Sequence, residues 1–209
     1  MGVLIVIRHG FSESNKKGYL THDVEGYPLT EEGKKYIIKA SQEIKKIKNI
    51  KEIVSSPIVR ARETAEIISQ NTGLKIRIDE RLSERFMGGY NNRKIPESNP
   101  DQIDHNWHTK EILNNYPNGL EKWENLISRT KEVLNSLPSN QNFIIITHGD
   151  IIKAIVAIFL NLDEFEVWGI RANHGHFTVI DTKNGRILAI GSPILSERLI
   201  NKIKETENG

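Results

Sequence analysis

Val3-Leu4-Ile5-Val6-Ile7-Arg8-His9-Gly10 is the stretch on which the reading of this chain turns. Five apolar residues run without a break into an arginine, a histidine and a glycine. A continuous apolar run this short predicts a strand covered on both faces. The arrangement returns at Phe143-Ile144-Ile145-Ile146, followed by Thr147-His148-Gly149. A weaker version lies at Ile53-Val54, followed by Ser55-Ser56-Pro57.

Helical patterns lie next to these runs. Leu29-Thr30-Glu31-Glu32-Gly33 reads as a helix start, with Thr30 as cap and acids in the first turn. Apolar residues then recur at Ile37, Ile38, Ile44 and Ile47. A second helix is expected from Val59 to Asn71, stopped by Gly73. A third runs from about Gly119 to Leu137, and a mostly buried fourth starts at Asp150. Further strands are expected at Lys75–Ile78, Phe177–Asp181 and Arg186–Ile190. The last two flank Asn184-Gly185, a hairpin turn signal.

Strands alternating with helices predict a three-layer α/β/α sandwich with a mainly parallel sheet and one antiparallel edge strand from the hairpin. Residues Arg85 to about Asn118 interrupt the pattern, with helical turns expected around Gln102–Leu113. They are read as a small helical cap inserted into one domain spanning 1–209. The run from Glu197 to Gly209 carries both signs of charge and is expected to be a solvated helix or frayed tail.

Composition narrows the function. The 29 basic and 27 acidic side chains nearly cancel, and no basic stripe stands out, which argues against nucleic-acid and membrane-surface partners. The chain has no cysteine, so disulfides, zinc–thiolate sites and a cysteine nucleophile are excluded. No apolar run is long enough for a membrane span, and the N-terminal run lacks the flanks of a signal peptide. The expected location is cytoplasmic.

In open sheets of this kind, ligands gather at the carboxyl ends of the strands. Arg8-His9, Ser55-Ser56 with Arg60, and His148 all lie just past such ends. Two arginines and two histidines at one rim suit phosphoryl transfer. That chemistry asks for a nucleophile in line, positive charge on the equatorial oxygens and a proton for the leaving oxygen. Arg8 and Arg60 offer planar, permanently charged forks, and a protonated His148 would add a third cation. A neutral His9 can attack phosphorus. Glu84, after the Lys75–Ile78 strand, is the expected acid and base.

These residues, taken together, resemble a known family. Arg8-His9-Gly10-Phe11-Ser12-Glu13-Ser14-Asn15 is similar to the R-H-G-x-[ST]-x-x-N signature of the histidine phosphatase superfamily, in its phosphoglycerate mutase-like branch 1. Four further matches follow in order: Pro28–Gly33, Ser55–Ala65, Leu82-Ser83-Glu84 with Gly88, and Thr147-His148-Gly149. The resemblance covers about Val3 to Asp181. It implies a phosphohistidine intermediate on His9, a phosphate pocket of Arg8, Arg60 and His148, and Glu84 as proton donor. Ser12 and Asn15 match its phosphate-contacting positions. It implies no metal and no other cofactor. Two departures stand out: Phe11 replaces the usual acidic residue, and Glu25-Gly26-Tyr27 lacks an Asp usual before P-L-T.

Competing readings attach to several residues. Glu84 has a structural alternative in pairing with Arg81 or Arg85, and Asp150 competes for the acid role although it reads as a helix cap. His105 and His108 are three apart, but a solvated cap explains them better than a metal pair. Asn173-His174-Gly175-His176 precedes a strand, and His174 is read as a supporting residue beside His148, one step back from the reacting atoms, with an ordinary loop as the alternative. Trp107, Trp123 and Trp168 read as packing. The expected activity is hydrolysis of a small phosphomonoester. The rivals are a phosphoglycerate mutase, which the Glu84-Arg85 pair keeps open, and an inactive phospho-ligand binding module.

Overall fold

A computed structural model describes residues 2–94, 119–138 and 140–208. Its centre is a six-stranded sheet. In chain order the elements are β1 (Val3–Arg8), α1 (Glu13–Lys17), β2 (Tyr19–Leu20), α2 (Glu31–Ile44), β3 (Ile50–Ser55), α3 (Val59–Thr72) and β4 (Ile76–Ile78). Two short 3₁₀ turns and β5 (Arg93–Lys94) follow, then α4 (Trp123–Ser136), β6 (Asn142–Thr147), α5 (Gly149–Leu160), β7 (Phe177–Asp181), β8 (Arg186–Ser192) and α6 (Glu197–Asn208). The sheet order is β4-β3-β6-β1-β7-β8, and β2 pairs separately with β5. The cap expected at 85–118 falls largely outside the described residues, as do His105, His108 and Trp107.

The apolar run of β1 is covered on both faces, as its composition requires. Val3, Ile5 and Ile7 face one core with α2, α3 and α6, while Leu4 and Val6 face another with α4 and α5. Successive side chains of a strand point to opposite faces, so one uninterrupted run feeds two cores. Each fully buried aliphatic side chain contributes roughly 1.5–3 kcal/mol, and the helices dock where these side chains stand.

Three expectations are refined. First, the antiparallel strand is β7, one place in from the edge. It hydrogen-bonds β1 on one side and β8 on the other, so β8 is outermost and runs with the parallel set. Second, α6 is not merely solvated: Leu199, Ile200 and Ile203 are buried in the first core, because they fall on one helical face. Third, Ile38, placed among the core positions of α2, is 46% exposed. It sits one residue off the stripe of Ile37, Ala40 and Ile44.

The predicted helix signals behave as written. Thr30 Oγ1 accepts the Gly33 N–H at 3.0 Å, and Gly73 closes α3 in the left-handed region. Gly33 has a second role. A Cβ there would lie 2.1 Å from the carbonyl oxygen of Phe11, so only glycine lets α2 dock on the loop after β1. Thr30 also holds that loop, donating its N–H and its hydroxyl to the Phe11 carbonyl at 2.9 and 3.1 Å.

Candidate active site

The three parallel strands β3, β6 and β1 are neighbours and end at one level. Arg8 pairs with Thr147, and Ser55 with Ile146. His9, Ser56 and His148, each one residue further on, therefore stand on the same rim. Because β7 is antiparallel to β1, with Phe177 opposite Ile7, the loop that enters β7 reaches that rim too. Gly175 N–H donates to the Arg8 carbonyl at 2.9 Å and fixes this loop in place.

His9 is buried, with 2% exposure. Its Nδ1 lies 2.8 Å from the Gly10 carbonyl, which only accepts, so Nδ1 carries the proton. On the other side of the ring, Arg60 Nε–H donates to Nε2 at 3.2 Å, which requires an unprotonated Nε2. Both contacts select the same tautomer. Burial, then Arg60, His148, His174 and Arg8, hold the imidazole pKa well below its usual value, so the ring is neutral.

Arg60, on the first turn of α3, is buried as well, and burial is the main cause that draws its pKa down to about 10. It donates from Nη2 to the Thr21 carbonyl at 3.0 Å. Arg8 donates from Nη1 to the Ala172 carbonyl at 2.8 Å. Thr64 joins two of the sequence motifs: its hydroxyl donates to the Arg60 carbonyl at 2.7 Å and accepts from Gly10 N–H at 3.0 Å.

The His148 ring centre is 5.1 Å from that of His9. Its Nε2 lies 2.8 Å from Ser56 Oγ, and its Nδ1 lies 3.9 Å from Glu84 Oε2. Burial, then Arg60 and Arg8, lower its pKa well below the ordinary value. The protonated His148 envisaged from the sequence is thus disfavoured until an anion arrives. Glu84 Oε1 accepts from Arg85 N–H at 2.9 Å. The Glu84 segment is held by Thr147 Oγ1 on the Leu82 carbonyl at 2.8 Å and by Arg129 on the Arg81 and Ser83 carbonyls at 2.6 and 2.8 Å. Burial first, then Asp150, raises the carboxyl pKa, while Arg60 and Arg8 oppose the rise.

The structural alternatives for these residues resolve individually. Glu84 pairs with neither Arg81 nor Arg85 through their guanidinium groups. Arg81 binds Asp79, and Arg85 Nη1 lies 2.7 Å from Glu164 in a buried pair. Asp150 is not the cap of α5. Extended His148 occupies that position, its carbonyl accepting Ile152 N–H at 3.1 Å, and Asp150 lies in the first turn, 3.8 Å from Lys153. Ser12 and Asn15 contact each other: Ser12 Oγ donates to Asn15 Oδ1 at 2.7 Å and Ser12 N–H to the same oxygen at 3.1 Å. Trp123 is buried packing, and Lys153 sits 3.3 Å over the Trp168 ring.

His174, expected beside His148, stands beside His9 and Phe11. Its ring centre is 5.3 Å from that of His9 and 5.5 Å from that of Phe11. Ser56 and Thr64 were in the quoted motifs without a role; their partners lie 92 and 54 residues away, and no local signal reveals such contacts. Arg60 Nη1, His148 Nδ1 and His174 Nε2 are buried with no hydrogen-bond partner among the described residues. Buried polar atoms are normally paired, so three such atoms around one neutral imidazole suit a polar, anionic ligand.

Comparisons with known proteins identify the family. Residues 4–190 match the family model described as histidine phosphatase superfamily (branch 1). The chain is 34% identical over 195 residues to a 2,3-bisphosphoglycerate-dependent phosphoglycerate mutase of Thermoplasma acidophilum, covering 92% of this chain and 93% of that protein. Among solved structures it resembles Bacillus stearothermophilus YhfR, with a TM-score of 0.78, 25% identity and coverage of 92% and 98%. The alpha-ribazole phosphatase of Shigella flexneri, at 20% identity, shares the fold with a TM-score of 0.75 over 93% of this chain and 98% of that one.

Proposed function

Since the chain belongs to the histidine phosphatase superfamily, branch 1, we propose that it hydrolyses phosphomonoesters of small metabolites through a phosphohistidine on His9. The observation that carries this reading is the state of the His9 ring: neutral, with its proton on Nδ1 and its Nε2 lone pair held by Arg60.

The chemistry follows from that state. The phosphate of the ester draws the Arg60 N–H groups to its oxygens, which releases the Nε2 lone pair. Nε2 then attacks phosphorus in line, and the bond to the ester oxygen breaks. Arg8, Arg60 and His148 stabilise the charge on the equatorial oxygens. The leaving oxygen takes a proton from the Glu84 carboxyl, which its burial helps to keep protonated. The resulting carboxylate accepts a proton from water as water attacks the phosphohistidine, and inorganic phosphate departs. Asn15 and Ser12 order the loop between His9 and α1, and so support the pocket floor.

The phosphoglycerate mutase reading draws on the Thermoplasma relative and on the Glu84-Arg85 pair. The Arg85 guanidinium argues against it: it is buried against Glu164 and the Glu121 carbonyl, the latter at 2.8 Å. A cation occupied in this way is poorly placed to receive a substrate carboxylate. The binding-module reading has no support in a site that retains a neutral His9, both arginines and a buried acid. The test is to assay phosphate release and phosphoglycerate isomerisation on the same preparation and to search for acid-labile phosphate on His9. Release with a labile adduct supports the hydrolase; isomerisation without release supports the mutase; neither supports the binding module.

A further inference from the structure

The exposure of the residues around His9 is uneven. His9, Arg60 and His148 are buried, whereas Phe11 and His174 each keep part of their surface open. The two rings meet edge to face, 79° apart, and His174 in turn stands beside His9. A line of contacts thus runs from the nucleophile through His174 to Phe11 and outward. Arg8 and Glu84 are part-open too, but Phe11 and His174 offer an ester with its phosphorus at His9 two rings to lie along.

Both residues are held by backbone, not by each other. Gly175 has φ +73°, a conformation favouring glycine, and a Cβ there would lie 2.6 Å from the Tyr36 ring. His176 donates its N–H to the Asn173 carbonyl at 3.1 Å and packs on Tyr36. Phe11 is anchored through its carbonyl by Thr30. The wall is therefore preformed. It also bears no charge: burial, with Arg8 and Arg60, brings the His174 pKa down to about 2, and Phe11 has none. A neutral imidazole whose buried Nε2 has no partner among the described residues can bond a hydroxyl, which both donates and accepts, but supplies no counter-ion.

We propose that Phe11 and His174 receive the leaving group and select phosphomonoesters of uncharged alcohols with an apolar or planar face over esters bearing a carboxylate beside the phosphate. This rests on the hydrolase reading given above and adds the substrate class. Burying an anion against a neutral aromatic wall is unfavourable, whereas ring-on-ring contact is favourable.

The test compares kcat/KM for benzyl phosphate and for phosphoglycolate, two alkyl esters that differ in the ring and the carboxylate. The full chain is expected to prefer benzyl phosphate by about tenfold or more, from aromatic contact and the unpaired carboxylate together. Phe11→Ala should lower kcat/KM for benzyl phosphate about three- to tenfold, mainly through KM, and leave phosphoglycolate within about twofold, and His174→Ala should cost more on benzyl phosphate than on phosphoglycolate. Phe11→Leu, which keeps apolar volume and guards against misfolding, should stay within about threefold of the parent on benzyl phosphate. Inhibition by inorganic phosphate should be unchanged in the two Phe11 variants, which leave every polar atom around His9 in place. A parent preference for phosphoglycolate, or equal losses on both esters, would overturn the proposal while leaving the hydrolase standing. Absence of turnover and of any labile phosphate on His9 would overturn the hydrolase reading, and this one with it.

Discussion

Arg60 donates its Nε–H to His9 Nε2 at 3.2 Å, so the residue expected to bind phosphate is bonded to the atom expected to attack it. The contact makes a resting state: the lone pair is engaged, and the guanidinium is presented edge-on beside it. In the proposed mechanism a phosphate ester relieves both at once, because its oxygens outcompete a neutral nitrogen for the guanidinium N–H groups.

Replacing His9 by Ala should therefore remove turnover, by about 10³-fold or more, and leave the fold intact. Circular dichroism and a thermal melt check the fold, and phosphate release checks activity. Near-parental hydrolysis in this variant would end the phosphohistidine mechanism.

Glu84→Gln should slow esters with poor leaving groups by about 10²-fold or more and affect activated aryl phosphates far less, because only the former need a proton on departure. With Glu84 raised and His9 lowered from their ordinary values, activity on poor leaving groups should fall as pH rises through the Glu84 pKa, and Gln should abolish that limb. Equal losses on both ester types would transfer the role to another acid, with Asp150 next in line.

Thr64→Val keeps the shape of a side chain that joins α3 to the loop after β1. It should cost about 1–3 kcal/mol in denaturant unfolding, because the buried Gly10 N–H loses its acceptor. A change below a few tenths of a kcal/mol would mean that this bond is dispensable.

Gly33→Ala introduces a Cβ that would lie 2.1 Å from the Phe11 carbonyl oxygen, a clash with backbone. Relief requires α2 to move off the His9 loop, so stability should fall by about 1–3 kcal/mol and kcat with it. Unfolding curves and steady-state rates measured together check this; a variant with parental values for both would show that the loop tolerates the shift.

Acid should weaken the fold through the buried histidines. His174 has a pKa of about 2 when folded, far below the usual imidazole value, so the folded state binds fewer protons than the unfolded chain. Its contribution is full above about pH 6.5 and is lost as pH falls from there, by up to about 1.4 kcal/mol per pH unit. His174→Gln should accordingly flatten the decline of stability between about pH 6.5 and 5, read by urea midpoints at several pH values. An unchanged slope would show that this imidazole charges freely in the folded protein.

Much of this architecture is written locally. The unbroken run Val3–Ile7 marks a strand covered twice, Thr30 and Gly73 bound their helices, and Asn184-Gly185 turns the hairpin. Arg8, His9, Arg60 and His148 are legible because parallel strands must end at the same rim. What misled was equally local. Asp150 looks like a cap by residue type, but the extended backbone of His148 takes that position. The charged tail looks solvated by composition, yet its apolar residues share one face and are buried.

The residue types, their periodicity and their order were enough to determine an α/β sheet with two arginines and two histidines at its carboxyl edge, since those depend on steric preference and side-chain spacing along neighbouring residues. The tertiary structure alone decided which hydrogen bonds join that edge. The Arg60–His9, Thr64–Gly10 and Ser56–His148 contacts span 51, 54 and 92 residues. It also decided that β7 runs against β1 and delivers His174 to His9, and that burial keeps three imidazoles neutral. Proton affinity and long-range pairing depend on what surrounds a group in space, and folding, not adjacency, supplies those surroundings.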